Sequence, residues 1–168
     1  MDRGEITMFK VQLVVCRIDD QEYGLELGSV KEILRAKKFK ITHVPNLPPV
    51  IEGVINLRGK ISYIYNARKR FHCADQPVDE ETKIIVIPLE DVTVGLLVDE
   101  VTDILDLAEE EINIAPDFIA GIDGRYIKGI GKVGERLIII LDAARVLTEE
   151  ERDYVSQGME TQMAAPAE

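Results

Sequence analysis

Val11 to Ile18 is an almost unbroken apolar run, and after the turn pair Asp19-Asp20 the stretch Glu22 to Leu27 alternates apolar with polar, so the chain opens on a predicted hairpin. Ser29-Val30-Lys31-Glu32 has the spacing of a capping box and predicts one or two helical turns with Val30, Ile33 and Leu34 on one face. Pro45, Pro48 and Pro49 predict a loop. Val54 to Leu57 and Lys60 to Tyr65 then read as strands joined at Arg58-Gly59, and Asn66 is placed to cap a short basic helix from Ala67. His72 to Thr82, polar and holding Pro77 and an acidic run, reads as a linker. Strands are predicted beyond it at Lys83 to Leu89, Val92 to Val98 and Val101 to Leu105, with a further hairpin formed by Tyr126 to Val133 and Leu137 to Leu141 across Gly134-Glu135. At the end, Asp142 caps Ala143 to Leu147, Thr148 and Glu151 form a second capping box, Gly158 marks a stop, and Thr161 to Glu168 is expected to be disordered.

The two halves repeat. Gly24-Leu25, Leu27, Val30 and Ile33-Leu34 recur 71 positions later as Gly95-Leu96, Val98, Val101 and Ile104-Leu105. Ile51, Gly53-Val54, Leu57, Lys60-Ile61, Ile64 and Asn66-Ala67 recur 76 positions later as Ile127, Gly129-Ile130, Val133, Arg136-Leu137, Ile140 and Asp142-Ala143. Shared glycines and a shared Asn/Asp-Ala pair, beyond matching aliphatics, point to two similar small β-units.

Charge narrows the function. The formal net charge is −11, which argues against nucleic acid, whose phosphates demand a basic face. The imbalance is uneven: residues 1–82 carry 13 Lys/Arg against 12 Asp/Glu, and residues 83–168 carry 7 against 19, so the halves could meet different partners. No apolar stretch reaches the roughly 18 residues of a membrane span, and Asp2 and Glu5 do not suit a signal peptide, so a cytoplasmic protein without membrane insertion is expected. Cys16 and Cys73 have no redox or zinc spacing, and Cys16 is expected to be buried in a strand.

Gly129-Ile130-Gly131-Lys132-Val133-Gly134 spells the glycine pattern of a dinucleotide site, but the β-rich Leu137 to Leu141 follows it where a helix should receive the pyrophosphate. A small nucleotide-binding enzyme is therefore the weakest of the function classes. His43 and His72 are the only imidazoles, and neither has a metal-ligand spacing. Acidic pairs such as Asp99-Glu100 and Glu109-Glu110 read as solvated turns. No catalytic set, metal or cofactor is expected, and the weight moves to an interaction module.

Glu52-Gly53-Val54-Ile55-Asn56-Leu57-Arg58-Gly59-Lys60-Ile61 resembles the most recognisable stretch of the CheW family, the chemotaxis coupling proteins. Glu22-Tyr23-Gly24-Leu25 with Val30-Lys31-Glu32-Ile33, Val94 to Val101, and Tyr126-Ile127-Lys128-Gly129 are similar to other signatures of the family, in its order, from about Lys10 to about Leu147. The resemblance implies a mostly β fold of two five-stranded SH3-like barrels around a shared apolar core, with short helices and a C-terminal helix. It implies one domain over residues 10–148, with approximate subdomains 10–82 and 83–148, and a helix and tail over 149–168. It also implies a non-catalytic adaptor between the cytoplasmic tips of methyl-accepting chemoreceptors and the regulatory domain of the CheA histidine kinase, recruited to receptor arrays at the inner membrane. The same fold in a non-chemotactic pathway, such as twitching motility, is the alternative.

Carried over by position, the receptor-side residues are Val30, Glu32, Gly53 and Arg58. A helical partner in a groove needs an apolar floor, a small residue for close approach and a charge at the rim; Val30 would supply the floor, Gly53 the clearance, and Glu32 and Arg58 polar anchoring. From pattern alone, Val30 equally fits a core position, Gly53 a turn with positive φ, and Arg58 a solvated turn. The kinase side is expected on the second barrel, with no residue singled out. Ser62-Tyr63-Ile64-Tyr65-Asn66-Ala67 departs from the family's usual Val-Pro-Val-Ile-Asp-Leu. A family proline at Tyr63 predicts an edge position there, and a family aspartate at Asn66 predicts that Asn66→Asp is nearly neutral.

Overall fold

The computed structural model describes residues 10–90, 92–113, 118–119 and 122–164. Its strands are β1 (Lys10–Ile18), β2 (Gln21–Glu26), β3 (Glu32–Arg35), β4 (Ile51–Leu57), β5 (Lys60–Asn66), β6 (Lys83–Pro88), β7 (Thr93–Val98), β8 (Glu100–Ala108), β9 (Ile112–Asn113), β10 (Phe118–Ile119), β11 (Ile122–Asp123), β12 (Ile127–Val133) and β13 (Arg136–Leu141). Helix α1 (Ala67–Arg70) follows β5, and α2 (Glu149–Ala164) closes the described chain. The first sheet runs β8-β1-β2-β13-β12-β9 and the second β3-β6-β7-β5-β4, while β10 and β11 pair by themselves. The fold is mostly β, as expected.

The sheets do not divide at the linker. The hairpin β1-β2 belongs with β8, β9, β12 and β13, while the second sheet is built from the consecutive strands β3 to β7. The boundary expected near residue 82 therefore separates neither the sheets nor their cores. Two parallel ladders make the exchange: Glu22 to Gly24 lies against Ile138 to Ile140, and Tyr63 to Asn66 against Val94 to Leu97. Apart from that exchange five strands of each unit correspond, β1 to β5 against β6, β7, β8, β12 and β13 in the same sheet order, while β9, β10 and β11 have no strand counterpart in the first unit. Both β4 and β12 carry an irregularity at equivalent places, between Ile51 and Gly53 and between Ile127 and Gly129.

Alternate side chains of single strands enter different cores. Leu13 and Val15 of β1 join Leu107, Ile138 and Ile140 inside the first sheet, while Val14, Cys16 and Ile18 point to a core shared by both sheets. In β6, Ile84 and Val86 join Ile55, Ile64 and Leu97 inside the second sheet, and Ile85 and Ile87 join the shared core. Burial on both faces explains why these strands are continuous apolar runs. Gly24 and Gly95 lie where a Cβ would meet Leu13 and Ile138, or Ile64 and Ile84, at 2.6–3.1 Å.

Two expectations of helix change. The capping box at Ser29 does not form: Leu27–Ser29 makes a 3-10 turn, Val30 is extended, and Glu32–Arg35 pairs with β6, with the Lys31 N–H donating to the Val86 carbonyl at 2.8 Å. Ile33 packs on the shared core and Leu34 on the second-sheet core, an alternation that a strand provides and one helical face does not. Helix α2 starts as expected, with the Thr148 hydroxyl accepting from the Glu151 N–H and Glu151 accepting from the Thr148 N–H. It runs past Gly158 to Ala164, through part of the stretch expected to be disordered; residues 165–168 lie outside the described residues.

Two arginines of α1 tie the parts together. Arg68 donates to both carboxylate oxygens of Asp99 at 2.9 and 2.7 Å, with both side chains about 10% exposed, and to the Ala74 carbonyl at 2.7 Å. Asp99 also accepts from the Asp19 N–H at 2.8 Å, which ties in the β1-β2 turn. Arg70 donates to the Val146 carbonyl, the Tyr126 hydroxyl and the Glu151 carboxylate, and so docks the start of α2, whose Val155 is buried in the shared core. Tyr23 of β2 stacks on Phe71 at 4.9 Å. Removing one partner of a buried, hydrogen-bonded pair strands the other charge. Arg68→Ala is expected to cost about 3 kcal/mol in urea unfolding, and Arg68→Met with Asp99→Leu distinctly less than Arg68→Ala alone.

Candidate interaction site

The Arg58-Gly59 turn joins β4 to β5, with φ of +52° and +86°, as a two-residue hairpin turn of the primed type requires. The Asn56 side chain accepts from the Gly59 N–H at 2.9 Å and holds the turn. From it, Arg58 reaches across to β3 and donates through two nitrogens to the two carboxylate oxygens of Glu32, at 2.8 and 2.7 Å. That hydrogen bond holds the Glu32 carboxyl below its ordinary range. The pair is therefore complete above the ordinary carboxylate range and is lost as pH falls through the lowered value.

Two of the four residues predicted to act together do meet. Val30 sits two residues before Glu32, half-buried and packed on the edge of the shared core, with its repeat equivalent Val101 in the same setting. Gly53 is elsewhere in role. It is buried, its φ is not positive, and a Cβ there would stand 2.3 Å from the Thr42 carbonyl oxygen. Thr42 bridges Val54 with hydrogen bonds of 2.8 and 2.9 Å, so Gly53 makes room for this chain's own backbone. Gly129 does the same against the Asn113 carbonyl, at 2.8 Å.

The departure from the family pattern also finds its place. β5 lies between β4 and β7, so Tyr63 is interior to its sheet and not at an edge. Its ring is half-buried on the shared core, and burial, with Tyr154 of α2 nearby, raises its hydroxyl pKa. Asn66 caps α1 as predicted, accepting from the Arg68 N–H at 2.8 Å, but its Nδ2 also donates to the Glu52 carboxylate at 3.0 Å. Burial pushes Glu52 up, and the hydrogen bonds from Asn66 and Lys69 outweigh it and leave the carboxyl below its ordinary value. Asp142 in the second unit accepts from the Ala144 N–H at 3.0 Å and lies 3.5 Å from the Arg145 guanidinium, where Asn66 meets a carboxylate.

The glycine-rich stretch Gly129 to Gly134 is the β12-β13 hairpin, with Gly134 at φ +61° in the turn. It holds no strand-to-helix junction for a pyrophosphate. Cys16 is buried as expected, and desolvation, with the charge of Asp99, pushes its thiol up to about 12. No group of three or more metal-ligating side chains occurs among the described residues. No helix among them is long and apolar enough to cross a membrane. What the surface offers is apolar side chains: Ile104 and Leu137 are each 56% exposed, and Ile61, the repeat equivalent of Leu137, is 37% exposed. Sequence pattern alone missed them because alternation marks them as one of two buried faces, and the register of the repeat links only Ile61 with Leu137, since Ile33, the equivalent of Ile104, packs on the shared core.

Residues 12–151 match the model of the CheW-like domain. The chain belongs to the CheW family. It is 37% identical over 139 residues to the chemotaxis protein CheW of Bacillus subtilis, covering 83% of this chain and 88% of that one. To the chemotaxis protein CheW of Klebsiella aerogenes it is 35% identical over 144 residues, covering 86% of each. The crystal structure of the scaffolding protein CheW from Thermoanaerobacter tengcongensis superposes with a TM-score of 0.78 at 29% identity, over 85% of this chain and 96% of that chain. The two relatives are named as chemotaxis proteins and the solved structure as a scaffolding protein, and the family is non-catalytic.

Asn66→Asp keeps the helix cap but sets one carboxylate against another. It is expected to cost about 1–2 kcal/mol at pH 7 through the unfavourable like-charge contact. The carboxylate pair then has a raised pKa in the folded state, so the penalty shrinks as pH falls through that value, opposite in sign to Glu52 in the parent. Urea midpoints at pH 4.5 and pH 7 check this, and adding Glu52→Gln should remove most of the loss at pH 7. Gly53→Ala is expected to destabilise by about 2 kcal/mol or more, because the clashing atom is backbone, whereas Gly28→Ala, with open space around it, should be nearly neutral.

Proposed function

We propose that this chain couples the cytoplasmic tips of chemoreceptors to the regulatory domain of the CheA histidine kinase. The observation that carries the receptor side is the two-point Glu32–Arg58 pair beside half-buried Val30. An apolar strip at the margin of the shared core, rimmed by a fixed charge pair, suits an amphipathic helix, which buries one apolar face and presents polar groups along its flank. Gly53 acts indirectly in this reading, as a positioning residue that lets the Thr42 segment close over β4. Relatives named as chemotaxis proteins, and a solved structure named as a scaffolding protein, matched over most of their length, support the assignment. The kinase belongs on the other sheet in this reading, where Leu137 exposes an apolar side chain next to the β12-β13 turn.

Arg58→Glu is expected to weaken binding of a receptor-tip fragment by about tenfold or more, with CheA binding and the unfolding midpoint little changed. Titration against both partners decides. Equal loss toward receptor and kinase would sink the receptor-side assignment. The exchange variant Glu32→Arg with Arg58→Glu rebuilds the pair with inverted polarity: receptor binding stays weak if the charges touch the receptor and returns if the pair only braces β3 against the turn.

A further inference from the structure

Arginine gathers at one place in the acidic half of the chain. Residues 83–168 hold 7 Lys/Arg against 19 Asp/Glu, and 3 of those 7 line a single cleft of about 920 Å³. The cleft opens between the 3-10 turns Gly124–Tyr126 and Ala143–Arg145 and the first turn of α2. Each of these elements supplies one guanidinium, Arg125, Arg145 and Arg152, and Tyr126 and Leu147 add apolar wall.

Arg152 lacks the kind of partner that Arg68 and Arg70 find. It is half-buried, its Nε is one of two buried side-chain polar atoms without a hydrogen-bond partner among the described residues, and it makes no ion pair with any of them. Arg145 is 69% exposed and reaches Asp142 at 3.5 Å, a carboxylate that already caps Ala144. Arg125 stands over the Tyr126 ring at 5.9 Å, and Arg70 lies 5.0 Å from the same centroid. Three carboxylates also reach the cleft. Glu151 is taken by Arg70 and the Thr148 N–H, while Glu149 and Glu150 are exposed. Glu149 has the (i, i+3) spacing to Arg152 that a helix offers to an ion pair, yet the two do not pair. A guanidinium nitrogen withdrawn from water without an acceptor is costly, and an anion entering the cleft removes that cost.

From this we infer that the cleft binds a phosphate monoester, its oxygens taken by Arg152, Arg145 and Arg125 and its organic part lying against Tyr126 and Leu147. Guanidinium forks match phosphate oxygens in pairs, and a tetrahedral phosphate presents three oxygens to donors arriving from different elements, where a carboxylate presents two in one plane. Repulsion from Glu149 and Glu150 is weak, because both are exposed and screened by solvent and salt. The bound group ties the start of α2 to both 3-10 turns. None of its contacts belongs to the receptor-side set.

Calorimetric titration of the full chain with phenyl phosphate, inorganic phosphate and acetate tests this, with ionic strength held constant by sodium chloride so that general screening does not change. Saturable one-to-one binding of phenyl phosphate is expected, weaker binding of inorganic phosphate, and the weakest of acetate. Arg152→Gln is expected to weaken phenyl phosphate binding about tenfold or more, and Arg125→Gln with Arg145→Gln to do the same. Lys132→Gln, at an exposed position of the same half outside the cleft, should bind as the parent does. Without ligand, Arg152→Gln should keep the parent's urea midpoint or raise it, since no partner is lost. A phosphoserine peptide distinguishes the sources of the phosphate: tighter binding than phenyl phosphate gives the site to a modified protein side chain, and weaker binding gives it to a small molecule. Absence of saturable binding by both monoesters overturns the proposal. So does acetate binding as tightly as phosphate, or Lys132→Gln losing as much affinity as Arg152→Gln. A midpoint for Arg152→Gln lowered as far as that of Arg68→Ala also overturns it, because Arg152 is then a structural cation.

Discussion

Three apolar cores share two sheets, and so β1, β6 and β13 must be apolar on both faces. Val14 and Val15, Ile84 and Ile85, and Ile139 and Ile140 are neighbours in sequence that face different interiors. A one-residue slip in any of these strands would exchange the contents of two cores. The glycines follow from the same constraint: Gly24 and Gly95 are the positions where the strand facing both interiors leaves no room for a side chain on one of them. The parallel ladders that join β2 to β13 and β5 to β7 then lock each sheet to strands from the other half of the chain.

On this frame the two units keep their backbone and differ in their side chains. Both hairpins carry an irregularity before a glycine that passes under a neighbouring carbonyl, and both end in a side-chain cap, Asn66 or Asp142. Both also brace an end strand with an arginine from the hairpin, Arg58 to Glu32 in one unit and Arg136 to Asp103 in the other at 2.7 Å. Arg136 additionally binds Glu22 through two nitrogens at 3.0 and 2.7 Å, so the second brace reaches three strands where the first reaches two. The first brace is the more open of the two, Arg58 being 66% exposed against 38% for Arg136.

Strand content, the repeat and most caps were legible in the sequence, because alternation, doubly apolar runs and Asn/Asp-Ala are local signals. The failures have nonlocal causes. Ser29 to Glu32 spelled a helix start, but β6 offered an unpaired edge and two cores to fill, and pairing won. Tyr63 looked like an edge residue by analogy, yet β7 reaches it from the far half of the chain. Of the candidate site, Glu32 and Arg58 were foreseen as separate charges and Gly53 as partner clearance. That one arginine grips the other residue's carboxylate, and that Thr42 fills the space above the glycine, depends on how the 39–49 loop returns across β4, which spacing does not encode.

The exchange of strands also sets an order on the ribosome. The second sheet comes from one continuous stretch, residues 32–98, and can close as soon as that stretch has emerged. The β1-β2 hairpin leaves the tunnel first but waits for β8 and then β13, the latter more than 110 residues downstream. During synthesis at roughly 5–20 residues per second, a strand meant for two interiors is held with neither face covered. Residues 10–26 are thus made well before the strands that secure them, and for those seconds the nascent chain depends on whatever shields Leu13 to Ile18 from its neighbours.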